Sequence, residues 1–316
     1  MSRLLAGLCF GVLVVFVFSH IVDARRTVPA PPQTLSWWPD AGVEYVSVGG
    51  VTTRFVSEGS GPDLVLLHTF STELGQFRKI AEKLSETFTV WALDLPGFGY
   101  ADLPDGPLSA QFFANYVRSF MAEFSIMNPM VVGESIGGTI ALMLATDDEV
   151  GLSGALALNP IGYTDAPLAR SGRVASVFSR ALRTPIISDF ALRVRNARVT
   201  KAILEGGLYD PTSLSDTYFA DLITIQQRPE FPKAQKLFAA SNKSWVQALD
   251  DIEDVVVPTR ILWGETDWST KEEREAVSMQ LAGARVTTIS ASGHFMTLDQ
   301  PEAILSAVND LAKSAQ

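Results

Sequence analysis

The chain has 316 residues, 35 of them acidic and 25 basic, for a formal net charge of −10. That length suits one large α/β domain or a core domain carrying an insertion, and the acidic balance lacks the basic footprint of a nucleic-acid binder. The single cysteine, Cys9, lies in an apolar N-terminal segment, so the rest of the chain offers no intrachain disulfide, no thiol nucleophile and no thiolate metal site. His20 belongs to the same segment. His68 and His294 are then too few for a polyhistidine zinc site, and neither metal nor cofactor is expected.

Leu4 to Val22 is almost wholly apolar and close to the roughly 20 residues that span a bilayer. The apolar core Leu4 to Phe18 is long for a signal peptide, and no clean A-x-A cleavage site follows it. The expectation is that residues 1–24 form a membrane anchor or uncleaved leader, a single segment that ties the protein to the lipid bilayer. Export after cleavage is the alternative. Arg3 on one side and Arg25 and Arg26 on the other leave orientation undetermined. Residues 25–42, with Pro29, Pro31 and Pro32, read as an extended linker ending near Trp37 and Trp38.

From residue 43 to 316 the pattern is that of an α/β domain. Val43 to Val48 and Val51 to Val56 alternate around Gly49-Gly50, a hairpin signal. Leu64 to Leu67 is a continuous apolar run, as for a strand buried on both faces. A helix is expected from Glu73 to Ser85, a strand from Phe88 to Leu93 and a helix from Ser109 to Phe124. Further strands are expected at Met130 to Gly133, Leu152 to Leu158, Thr259 to Trp263 and Arg285 to Ile289, with a final helix over Pro301 to Lys313. Strand-helix alternation of this kind predicts a mostly parallel sheet with helices on both faces.

Gly133-Glu134-Ser135-Ile136-Gly137-Gly138 stands between a short apolar run and a helical one. At such a strand-turn-helix junction the serine is held in a strained backbone with its Oγ projecting from the sheet edge, and small neighbours let strand and helix approach. Asp267 and His294 each fall just beyond the end of a later strand. That is the edge where open α/β sheets place their ligands.

Leu66-Leu67-His68-Thr69-Phe70, Asp94-Leu95-Pro96-Gly97-Phe98-Gly99, Gly133 to Gly138, Gly264-Glu265-Thr266-Asp267 and Gly293-His294-Phe295 follow one another as they do in the α/β-hydrolase fold superfamily, which the chain resembles from about Val43 to its end. The resemblance implies an α/β-hydrolase fold and a serine hydrolase of the esterase-like branch. Ser135 is then the nucleophile, His294 the general base and Asp267 the group that orients it, in the Ser, Asp, His order of that fold. Glu265 and Asp165 are rivals to Asp267 without a matching local motif. By position, the backbone N–H groups of Phe70 and Ile136 are the oxyanion donors. Thr69 stands where the family favours glycine, so the donor loop is expected to be shaped differently. His68 reads as a support for that loop, and Asp94 as a turn residue.

Between Asn159 and about Asp251 the rhythm breaks into helices, expected at Arg170 to Leu182, Ile187 to Val199, Ser213 to Gln227 and Pro232 to Ala248. The resemblance makes residues 160–250 a helical cap over the site. Arg170, Arg173, Arg180, Arg183, Arg193, Arg195 and Arg198 read mostly as solvated surface, with an anionic membrane or acidic substrate as the other option. The expected reaction is cleavage of an ester or related bond in a small to medium apolar acyl substrate, through an acyl-enzyme. Carbon-carbon bond hydrolysis, amidase or aminopeptidase action and cofactor-free perhydrolysis use the same residues. An idle, membrane-tethered binding protein on the same fold is the reading from another class, and an organofluorophosphonate separates it from the enzymes. Oligomeric state is open.

Overall fold

The computed structural model describes residues 2–162, 167–182, 184–252 and 254–314. Among these residues, eight strands form one sheet: β1 (Val43–Val48), β2 (Val51–Gly59), β3 (Asp63–Leu67), β4 (Thr89–Leu93), β5 (Met130–Glu134), β6 (Gly154–Leu158), β7 (Thr259–Gly264) and β8 (Arg285–Ile289). Their spatial order is β1-β2-β4-β3-β5-β6-β7-β8. β1 and β2 form an antiparallel hairpin, β2 runs antiparallel to β4, and every pairing from β4 to β8 is parallel.

The period-2 geometry of strands explains the unbroken apolar runs. In β3, Val65 and Leu67 belong to the core on one face of the sheet, while Leu64 and Leu66 belong to the core on the other. All four are fully buried, each burial stabilising by roughly 1.5–3 kcal/mol. β5 and β6 are buried along their whole length, so the sheet is sealed at its centre. The carboxyl ends of β3, β5, β6 and β7 are thereby neighbours, and the candidate site lies above them.

The helical readings need adjustment where side-chain chemistry competes with propensity. Glu73 to Ser85 is not one helix but a 3₁₀ turn, Leu74–Phe77, and a short helix, Ala81–Ser85. Glu73 is the cause: its carboxylate accepts the Gly75 N–H at 2.7 Å and pairs with buried Arg54 at 2.7 Å. Between β6 and β7 lie 3₁₀ turns at Pro167–Arg170 and Pro211–Ser213 and helices Arg173–Leu182, Pro185–Val194, Ala197–Glu205, Asp216–Ile225, Phe231–Ala240 and Asn242–Asp250. The expected helix through Val199 breaks at Arg195, which has φ 49°, and restarts on Asn196, whose side chain accepts the Arg198 N–H at 2.9 Å. The expected helix Pro232 to Ala248 divides at Ser241. Helix Lys271–Gln280, for which no expectation was formed, starts on a capping box between Thr270 and Glu273.

The N-terminal expectation is corrected. Among the described residues no helix is long and apolar enough to cross a membrane, which overturns the localisation inferred from the apolar leader. The end of helix Ser2–Ala24 is instead engaged by the helices between β6 and β7. Asp23 pairs with Arg195 at 2.8 Å and Arg193 at 3.4 Å, and Arg26 donates to the carbonyls of Arg193 and Val194. Trp38 is buried in the core, and the Tyr45 hydroxyl donates to Pro32 O at 2.8 Å, so residues 25–42 run against the domain. Arg195 has a fully buried side chain that also donates to Leu192 O and Gln226 O, unlike the solvated surface expected of it. Arg183 lies outside the described residues.

Candidate active site

Ser135 follows β5 and precedes helix Ile136–Ala145, with φ 59° and ψ −114°. A non-glycine residue at positive φ costs about 1–3 kcal/mol, so the surroundings must enforce it. The enforcement is close packing. A Cβ on Gly133 would overlap the Gly137 carbonyl, and a Cβ on Gly137 would overlap the carbonyl of Leu67 at the end of β3. The strained turn is also tied to β6 by Ser135 N–H donating to Leu158 O at 2.8 Å.

His294 reaches the serine from the loop after β8. Its Nε2 lies 3.0 Å from Ser135 Oγ, and its Nδ1 lies 2.5 Å from Asp267 Oδ1. Burial acts to raise the Asp267 pKa, but the nearby imidazole and hydrogen bonds from His294 and Ser269 outweigh it, leaving the carboxyl below its ordinary value. An ionised Asp267 makes Nδ1 the proton-bearing nitrogen, so Nε2 accepts from the serine hydroxyl. Ser269 holds the second carboxylate oxygen through its N–H at 2.8 Å and its hydroxyl at 2.5 Å. Glu265 is turned away, accepting the Ala291 N–H at 3.0 Å, and Asp165 lies outside the described residues.

Several supports were not anticipated. Trp268 stacks on the His294 ring, with centroids 3.7 Å apart and planes at 14°. Asn159, at the end of β6, donates to Gly293 O and His294 O at 2.9 and 3.0 Å and accepts the Gly264 N–H at 2.7 Å. It thus joins the loop carrying His294 to the strand leading to Asp267. The sequence signal for Trp268 is its place beside Asp267; for Asn159 it is an amide at a strand end before proline.

Phe70 borders the space above Ser135, and Ile136 begins the helix that follows it. Neither backbone N–H donates to a protein acceptor among the described residues. The preceding peptide is fixed: Thr69 N–H donates to Gln76 Oε1 at 2.9 Å, and Thr69 O accepts from His68 Nδ1 at 2.7 Å. His68 Nε2 accepts the Leu95 N–H at 2.8 Å, and burial lowers its pKa, so this ring is a neutral brace. Asp94 is buried beneath the loop, accepting from Arg54, Leu74 N–H and Tyr100 N–H, the turn role expected of it.

A cavity of about 850 Å³ opens from Ser135 toward the helices between β6 and β7. Phe70, Phe178, Phe190, Phe231 and Phe238 contribute to its apolar wall, whereas Tyr218 and Trp245 are buried core residues. Among the described residues no cluster of His, Cys, Asp and Glu is arranged to hold a metal ion.

Residues 64–307 match the model of the Alpha/beta hydrolase family. The chain belongs to this family. The chain is 32% identical over 127 residues to the dihydrolipoyllysine-residue acetyltransferase component of the acetoin cleaving system of Cupriavidus necator, covering 40% of this chain and 34% of that protein, so it spans about a third of that relative. It is 24% identical over 275 residues to 2-hydroxy-6-oxo-2,4-heptadienoate hydrolase of Pseudomonas putida, covering 84% of this chain and 94% of the relative. A solved structure of a candidate epoxide hydrolase from Pseudomonas aeruginosa superposes with TM-score 0.75 at 18% identity, over 90% of this chain and 98% of that one. At that identity the likeness is one of fold.

Proposed function

We propose that the protein is a serine hydrolase that cleaves an ester or related acyl bond. The observation that carries this reading is the unbroken chain from Ser135 Oγ to His294 Nε2 at 3.0 Å and from His294 Nδ1 to Asp267 at 2.5 Å, at the base of an apolar cavity. Ser135 Oγ attacks the substrate carbonyl carbon while its proton passes to His294 Nε2. Asp267 keeps the ring oriented and stabilises the imidazolium. The carbonyl oxygen, now negative, faces the free N–H groups of Phe70 and Ile136. Collapse expels the leaving group, which takes the proton from Nε2. Water, deprotonated by the same nitrogen, then releases the acid and restores the serine. Trp268, stacked on the ring, holds the imidazole plane between Ser135 and Asp267.

The likeness to an epoxide hydrolase does not extend to the reaction. Opening an epoxide through a covalent intermediate that water can cleave calls for a carboxylate nucleophile. Serine would leave an ether. Hydrolysis of a carbon-carbon bond is a second reading, supported by the match across most of the Pseudomonas putida hydrolase. An organofluorophosphonate tests the serine: we expect covalent labelling of the wild type, none in Ser135→Ala and at least about 100-fold slower labelling in His294→Ala. A folded wild type that resists the reagent would refute the proposal. Parallel assays with acyl esters and vinylogous diketones separate the two bond types.

A further inference from the structure

Glu134, next to the nucleophile, is fully buried and forms no ion pair among the described residues. Its partners are hydrogen-bonding groups of Gln76, in the 3₁₀ turn Leu74–Phe77, and of Thr297, in helix Met296–Asp299. Thr297 N–H donates to Glu134 Oε1 at 3.1 Å, and the Thr297 hydroxyl lies 2.8 Å from Oε2. Gln76 Nε2 donates to Oε2 as well. At its other end, Gln76 Oε1 accepts the Thr69 N–H at 2.9 Å and the Thr72 hydroxyl at 2.8 Å. The amide of Gln76 has one workable orientation, because a flip would set its NH₂ against the Thr69 N–H. Thr69 precedes Phe70 in the oxyanion loop, and Thr297 lies in helix Met296–Asp299, directly after the His294 loop.

We propose that Glu134 is a positioning residue: through Gln76 it sets the Thr69–Phe70 peptide, and through Thr297 it sets the helix behind His294, so that donor and base keep register with Ser135. The proposal rests on the acyl-transfer reading above. A buried polar chain of this kind is rigid only while every donor meets an acceptor. Whether Glu134 is ionised or neutral, the oxygen facing Gln76 accepts. In Glu134→Gln the new amide must present its NH₂ either to Gln76 Nε2 or to Thr297 N–H, and donor meets donor. Exchanging the two residues, Gln76→Glu with Glu134→Gln, restores the order: the new carboxylate accepts from Thr69 and Thr72, and the new amide donates to it while accepting from Thr297 N–H.

The test uses the full chain and p-nitrophenyl butyrate, with organofluorophosphonate labelling and thermal melting in parallel. Glu134→Gln and Gln76→Glu should each lower kcat about 10- to 100-fold with KM within about threefold, because a displaced donor affects the transition state more than substrate binding. The double exchange should regain activity to within about fivefold of wild type, a rescue that mere loss of fold stability would not produce. Wild-type kcat in Glu134→Gln overturns the proposal, as does an exchanged pair that is unfolded or no faster than the single variants. If Glu134→Gln itself does not fold, the exchanged pair decides alone. A folded wild type that neither turns over nor labels overturns the acyl-transfer reading, whereas a reactive wild type with an unaffected Glu134→Gln overturns only the positioning role.

Discussion

At the scale of single residues, the site rests on polar groups removed from water and held by neighbours rather than by charge alone. Asp267 and Glu134 illustrate opposite outcomes of burial. Asp267 faces an imidazole and Ser269, which hold its pKa below the usual range; for Glu134, burial outweighs the hydrogen bonds from Thr297 and Gln76, and its pKa is pushed up to about 8. The raised value has a definite sign. Between the ordinary value of 4.5 and about 8, the folded protein keeps a proton on Glu134 that the unfolded chain has released. Stability is therefore highest at the acid side of this window and declines as pH rises through it. Urea unfolding at pH 5 and pH 8 should show a larger loss for wild type than for Glu134→Gln, by on the order of 2–4 kcal/mol. Equal losses would mean that Glu134 does not titrate in this window.

At the scale of elements, the elbow is a contact between backbones. Helix Ile136–Ala145 approaches β3 and β5 so closely that no side chain fits at Gly137, where the obstacle is the Leu67 carbonyl rather than a movable group. Gly137→Ala should cost about 1–3 kcal/mol in urea unfolding and slow fluorophosphonate labelling by at least about tenfold, since the helix must shift and carry Ile136 N–H with it. Full retention of both properties would show that the junction yields more easily than its packing implies. The same closeness explains why the strand-turn-helix pattern was legible: Gly133, Gly137 and Gly138 are spaced by the geometry they permit. The helix expected at Glu73 to Ser85 was misread for the opposite reason. Its outcome depended on Arg54 and Asp94, distant in sequence, which draw Glu73 and Leu74 into a buried hydrogen-bond cluster.

At the scale of the whole molecule, the sheet supplies the edge that carries Ser135, Asp267 and His294, and the helices between β6 and β7 supply the walls of the cavity above it. Its volume of about 850 Å³ and aromatic lining suit an apolar acyl group of medium length more than a short polar one. Across p-nitrophenyl esters from C2 to C16, kcat/KM should rise to a maximum at medium chain length, by about tenfold or more over acetate, at roughly 0.8 kcal/mol per buried methylene. A profile that falls steadily from acetate would indicate that the acyl group does not enter this cavity. Arg195 lies in the cavity wall and is held from behind by Asp23, so the N-terminal segment is part of the support for that wall.

Strand and helix periodicity, the five motif-bearing strand ends and the order Ser135, Asp267, His294 were determined by the sequence itself, because local backbone geometry selects residues at short spacing. So was a mostly parallel sheet with helices on both faces, while the α/β-hydrolase fold was implied by the resemblance of five motifs in order. What only the tertiary structure decided are the relations across long separations. The 3.0 Å and 2.5 Å contacts at His294, the Trp268 stack, the Asn159 clamp and the chain Glu134–Gln76–Thr69 join residues from loops that no local pattern connects. The N-terminal segment gives the same lesson in reverse: its apolar composition pointed to a bilayer, whereas Asp23 and Arg26 at its end are held by partners some 170 residues away. Composition records what a segment could bury. Only the folded chain records what it is buried against.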